Sequence, residues 1–219
     1  MTVDLAVLTV TDAATDPVLR VLVQDRTNPD GRVLPGGFLR ERATVADAVA
    51  DVFERKVGIT PSVDVTPRLL RVFDDPDRDD RTWAISVAHS VSIPESDLVG
   101  ASGDLVPVTP DGKIEGGAPL LWDHDEIVSA AVQSLRAKYE FRHRYSDTPP
   151  DPDGFLPEPF TLHQLRRVHE TIVGEELHKD NFVRRMKPQL RPVLRGATPV
   201  LSAATRGRPA ALYRKATDG

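Results

Sequence analysis

With 219 residues, 40% hydrophobic and 28% charged, the chain carries enough apolar material for one domain of ordinary size and a smaller second one. It contains no run of 18 apolar residues and no cysteine, which excludes a membrane-spanning helix, a disulfide framework and a thiolate metal site, and fits a cytoplasmic protein without membrane partners. The net charge of −5 is unevenly spread: residues 1–159 hold 16 Lys and Arg against 28 Asp and Glu, while residues 160–219 hold 12 against 5. A basic tail on an acidic body points to a polyanion partner, a solvated basic face being the plainer alternative.

The first residues, MTVDLAVLTVTD, read as a strand and lack the features of a signal peptide. Leu5 to Val10 and Val18 to Val23 are predicted strands joined by the turn-rich DAATDP. Ala46, Val49, Ala50, Phe53 and Val57 recur at three- and four-residue steps, so one amphipathic helix is expected from Thr44, its N-cap, to Val57, stopped by Gly58. Strands around Arg68 to Phe73 and Trp83 to Ile93 follow. Between them DDPDRDDR imitates a calcium loop at Asp75, Asp77 and Asp79, but Asp80 and Ser86 stand where Gly and Glu are needed, so it reads as a solvated hairpin tip. A second helix is expected from Glu126 to Phe141. The stretch SDTPPDPDGFLPEP, residues 146–159, holds five prolines and one glycine in fourteen residues and reads as a linker between a body, 1–145, and a tail domain, 160–219.

GGFLRERATVADAVADVFERKVGI, with LP before it, resembles the Nudix signature, with Gly37, Gly58 and Ile59 falling in frame. That resemblance implies an α/β/α sandwich, and a Mg²⁺ held by three Glu on one helix face. The three positions are Val52, Arg55 and Lys56 here, an earlier Glu position is Ala43, and the Arg position is Asp51. No catalytic residue, metal ligand or cofactor is therefore expected. Gly36, Gly37, Arg40, Arg55 and Lys56 are the candidates for holding a nucleoside diphosphate, through backbone N–H groups of a glycine turn and through cations. Glu41 and Glu54 could only build a relocated metal site.

In the tail, Thr161 with Gln164 three residues on predicts a capped helix running to Gly174, and EELHK precedes a second helix of about nine residues. Asn181, Arg184 and Arg185 share one side of it, while Phe182, Val183 and Met186 occupy the other. This arrangement matches a helix-turn-helix whose second helix enters the major groove. Arg191 to Leu194 and Ala211 to Tyr213 read as strands of a wing, its loop carrying Arg206 and Arg208. His169-Glu170 begins a zinc-protease pattern that Val173 breaks.

Taken together, FTL…LRRVHETIVG, DNFVRRM and GRPAALYR downstream of an eroded Nudix box resemble the Nudix-related transcriptional regulators of NAD metabolism. The resemblance implies an α+β chain, a Nudix-like sandwich followed by a winged helix-turn-helix. It further implies a homodimeric repressor of NAD biosynthesis or salvage genes, which binds palindromic operator DNA and responds to ADP-ribose or a related nucleotide. Lys179, Asn181, Arg184, Arg185, Lys187, Arg206 and Arg208 are its candidate DNA contacts. Two alternatives stay open: a Mg²⁺-dependent ADP-ribose hydrolase with relocated acids, and a regulator of the same build that senses a sugar.

Overall fold

The computed structural model describes residues 1–59, 65–79, 82–141, 148–203 and 209–216. Strand β1 (Thr2–Thr11) is its axis, buried at nine of ten positions. Alternate side chains of a strand face opposite ways, so Val3, Leu5 and Val7 enter one core and Ala6, Leu8 and Val10 the other. Around it run β2 (Val18–Thr27), β3 (Asp30–Val33), β4 (Gly36–Phe38), β5 (Arg68–Phe73), β6 (Ser86–Ser92) and β7 (Asp104–Pro107). β1 pairs antiparallel with β2, Leu8 facing Val21, and parallel with β6, Leu8 facing Ser92. β5 closes one edge; the far half of β2 turns away to pair with β3, which leaves room for β4 beside the start of β1. The short strands β3, β4 and β7 are additions to the sequence expectation.

Helix α1 (Val45–Val52) covers one face. Thr44 and Asp47 form the capping box, and Ala48, Val49 and Val52 are buried. The expected single helix changes pitch at its end: Phe53–Val57 form a π turn closed by Gly58 at φ 77°. This widened turn buries Phe53 and Val57 and leaves Glu54, Arg55 and Lys56 exposed in a row. Helix α2 (His124–Tyr139) covers the other face through Ile127, Val128, Ala131, Val132, Leu135 and Tyr139. The body is thus the expected α/β/α sandwich.

Helices α3 (Leu162–Val173) and α4 (Lys179–Met186) follow, then short strands β8 (Leu190–Pro192), β9 (Leu194–Arg195), β10 (Thr198–Pro199) and β11 (Tyr213–Lys215). α3 starts at a capping box of Thr161 and Gln164 and stops at Gly174, φ 79°. Gly174 is doubly required, since a Cβ there would also lie 2.3 Å from Pro110. The turn between the helices is pinned by Glu170, whose Oε1 accepts from Arg166 and from the Leu177 N–H at 2.7 and 2.9 Å. An eight-residue helix is unstable alone in water. Burial of Phe182 and Met186, at roughly 2 kcal/mol each, supplies what α4 lacks. The wing pairs β8 with β11, Tyr213 opposite Pro192, slightly displaced from the expected hairpin.

The proline-rich segment, where described, is packed: Thr148, Asp151, Phe155 and Leu156 are buried. His169, also fully buried, sits among Tyr139, Phe141 and Phe182 and donates from Nε2 to the Pro150 carbonyl at 2.6 Å. Burial holds its pKa down at about 4, with the Pro150 hydrogen bond pulling the other way. Because the folded value lies below the unfolded one of about 6.5, the neutral ring's contribution is complete above pH 6.5 and is lost as pH falls toward 4. Urea unfolding should therefore lose on the order of 3 kcal/mol across that window from this group. His169→Gln should remove that part of the pH dependence; an unchanged slope in the variant would refute the assignment.

Candidate functional site

The Nudix-like loop and helix present charge, but not acidic charge. Of the three positions that carry Glu in the signature, Val52 is a core side chain, while Arg55 and Lys56 are exposed. Asp51 lies between two arginines, in contact with Arg55 and 3.3 Å from Arg40. The Arg55 hydrogen bond is the main reason the Asp51 carboxyl is held below its ordinary pKa. Such exposed pairs are readily exchanged for a ligand's oxygens. Gly36 and Gly37 do not form the expected turn; they lie in β4, opposite Asp4 and Val3. Gly36 is glycine because a Cβ would fall 2.3 Å from Asp4 Oδ1. Glu41 and Glu54 are both exposed, and among the described residues no three His, Asp or Glu side chains converge to hold a metal.

Behind Gly36 lies a buried polar network that sequence reasoning missed. Arg78, on the loop expected to be a solvated tip, is instead buried and donates to both oxygens of Asp123 at 2.7 Å, with Asp4 at 3.5 Å. The loop's exposed residues, Asp74, Asp75 and Asp77, surround an anchored arginine; Asp80 lies outside the described residues. Ser86 donates to Asp4 at 2.6 Å, and His124 Nδ1 accepts from the Leu34 N–H at 2.9 Å, which turns Nε2 toward Asp4. Burial lowers the His124 pKa, opposed by Asp4 and Asp123. The loop's five Asp and two Arg gave no local signal for this, because the partner that draws Arg78 inward, Asp123, is distant in sequence.

A cleft of about 700 Å³ opens beside this network, lined by Arg71, Phe73, Asp75, Trp122 and Glu126. Arg71 lies over the Phe73 ring at 4.2 Å and Arg26 over Trp122 at 5.3 Å. Trp122 has φ 61°, a conformation that a bulky residue adopts only under constraint and that clusters at ligand sites.

On the tail, Lys179, Asn181, Arg184 and Lys187 are exposed along α4, and Arg184 donates to Asn181 Oδ1 at 2.9 Å. Arg185 departs from this face: its guanidinium is partly buried over Phe141 at 4.7 Å. Arg206 and Arg208 lie outside the described residues. A second hairpin, β9 with β10, turns at Gly196 (φ 64°) and leaves Arg195 exposed; the RG pair before it was the signal for a turn.

Removing the Arg78 guanidinium strands the buried Asp4 carboxylate and the partly buried Asp123 carboxylate. Arg78→Ala should cost about 3 kcal/mol in urea unfolding, since breaking one partner of a buried pair leaves uncompensated charge. Asp123→Asn in that background should recover part of the loss; an additive penalty would refute the network.

Residues 154–214 match a family model described as the NrtR DNA-binding winged helix domain. The ADPR responsive transcriptional repressor NtrR of Acinetobacter baylyi is 28% identical over 197 residues, 85% of this chain and 71% of that protein. An ADP-ribose pyrophosphatase of Methanocaldococcus jannaschii is 29% identical over 110 residues, 49% of this chain and 62% of that protein. Among solved structures, Shewanella oneidensis NrtR complexed with a 27mer DNA superposes with a TM-score of 0.71 at 25% identity, covering 99% of this chain and 93% of that one. The two-helix head with its wing thus matches the NrtR DNA-binding winged helix domain, and along nearly its whole length the chain is similar to regulators of the NrtR type.

Proposed function

We propose that the chain is a repressor in which the body, residues 1–145, senses a nucleotide such as ADP-ribose without hydrolysing it, and the head, residues 160–219, reads operator DNA. The observation that carries this reading is the exposed row Lys179, Asn181, Arg184 and Lys187 on a helix whose opposite side, Phe182 and Met186, is buried. Amide and guanidinium groups match adenine and guanine edges, and lysines match phosphates. Arg195 at the wing adds a cation for the flanking backbone.

The Shewanella relative solved on DNA and the ADPR-responsive Acinetobacter relative support the two ligands. The sensing site is the Nudix loop with its cations Arg40, Arg55 and Lys56. A homodimer on a palindrome follows from the mode of such heads, with genes of NAD biosynthesis or salvage as targets. The effector acts by binding one arrangement of the body better than another.

A hydrolytic reading is favoured by the likeness to the pyrophosphatase, and it would use Glu41 and Glu54. Mg²⁺-dependent release of AMP from ADP-ribose, abolished by Glu54→Gln, would establish it.

The test is fluorescence anisotropy with labelled DNA from upstream of this gene and of NAD-synthesis genes, with excess competitor at physiological salt. Arg184→Ala should lose about 1 to 3 kcal/mol of specific binding. Arg185→Ala should chiefly lower the unfolding midpoint, its side chain being engaged by Phe141. ADP-ribose should shift the DNA titration of the wild type. Weak binding to every probe, erased by salt, would reduce the head to a generic polyanion patch.

A further inference from the structure

A second cleft, of about 520 Å³, lies four residues further along β1 than Gly36, where β1 passes Ser92 of β6. Helix α2 contributes Lys138 to its walls and the turn after β6 contributes Asp97, and the rest comes from three further parts of the molecule. Arg68, Ser90 and Ser92 belong to the sheet, Asp153 and Gly154 to the proline-rich segment, and Lys215 to the wing strand β11.

Two of these groups have unmet chemistry. Arg68 is exposed at the start of β5 and makes no ion pair among the described residues. The Asp153 side chain is 8% exposed; Oδ1 accepts from Lys138 Nζ at 2.5 Å, while Oδ2 is buried with no hydrogen-bond partner. The remaining cations are engaged, Lys138 by Asp153 and Lys215 by the buried Asp151 carboxylate at 3.9 Å.

A bare anion would answer Arg68 and leave Asp153 as it is, and a cation would do the reverse. A molecule that carries a phosphate and neighbouring hydroxyls answers both, because phosphate oxygens accept from guanidinium and sugar hydroxyls donate to carboxylate. Ser90 and Ser92 add hydroxyls that can donate or accept, and the volume suits a small ligand. We propose that this cleft binds a sugar phosphate, with its phosphate on Arg68 and its hydroxyls on Asp153 and the two serines. Such a ligand touches sheet, connecting segment and wing together, so it would bias how the head sits on the body. The bias on the head rests on the DNA-reading function; the binding itself does not.

The experiment is calorimetric titration of the full chain with ribose 5-phosphate, ribose, inorganic phosphate and ADP-ribose. Ribose 5-phosphate should bind saturably, one per chain, at least tenfold more tightly than ribose or phosphate. Arg68→Ala, at an exposed position, should weaken it at least tenfold, with Arg68→Lys restoring part, while Arg55→Ala on the Nudix loop leaves it unchanged. Loss of ADP-ribose binding in Arg68→Ala as well would identify a nucleoside diphosphate sugar as the source of the sugar phosphate; retention would identify a free one. Absent or non-saturable heat with ribose 5-phosphate, equal affinity in Arg68→Ala, or loss in Arg55→Ala would overturn the assignment. Because no DNA is present, failure of the operator-reading function would leave these heats untouched.

Discussion

Tyr139, the last residue of α2, has no exposed surface, and what surrounds it belongs to the rest of the chain. Its ring lies 6.3 Å from Phe155 and 4.9 Å from His169, and its hydroxyl donates to Asp151 at 3.3 Å. Asp151 in turn accepts from the Phe155 and Leu156 N–H groups, and burial raises its pKa against those hydrogen bonds. A helix that completes the sandwich therefore also fills the interior of the head, and one continuous apolar cluster runs from Ala6 to Tyr213. Close-packed interiors transmit displacement rather than absorb it. The end of α2 cannot move without moving α3.

The Nudix-like helix keeps its packing although its charge differs from that of the signature it resembles. Val52 contributes to packing, and only Arg55 and Lys56 face solvent, so replacing acids there leaves the core intact. The same backbone that would have gathered negative charge around a cation now displays positive charge, with Asp51 as the local counterion.

Much of this was legible in the sequence, for reasons that can be named. The caps at Thr44 and Thr161, the stops at Gly58 and Gly174, and the stripe of Phe182 and Met186 are local signals, and the helices begin and end within about two residues of them. The π turn was not legible, because three- and four-residue spacing fits a normal helix equally well. β4 was read as a turn because glycine favours turns, whereas here its small size against Asp4 is what matters. Arg78 and Arg185 were misplaced for a shared reason: whether an arginine faces solvent or turns inward depends on partners distant in sequence, Asp123 in one case and Phe141 in the other. The segment 146–159 was read by composition, which does not reveal that Asp151 ties it down.

Helix α3 rests on the body through Gln164 donating to the Ala14 carbonyl, Thr171 to the Pro17 carbonyl, and Arg167 beside Asp16. Those contacts fix a segment of charge +7 to one of −12. The molecule therefore carries a large permanent electric dipole, and not merely two regions of different composition. In the field of a polyanion such a body, whose net charge of −5 is itself repelled, experiences a torque that turns its basic end forward, so that attraction begins only at close approach in that orientation. Dissolved salt weakens that alignment before it weakens any contact made on arrival.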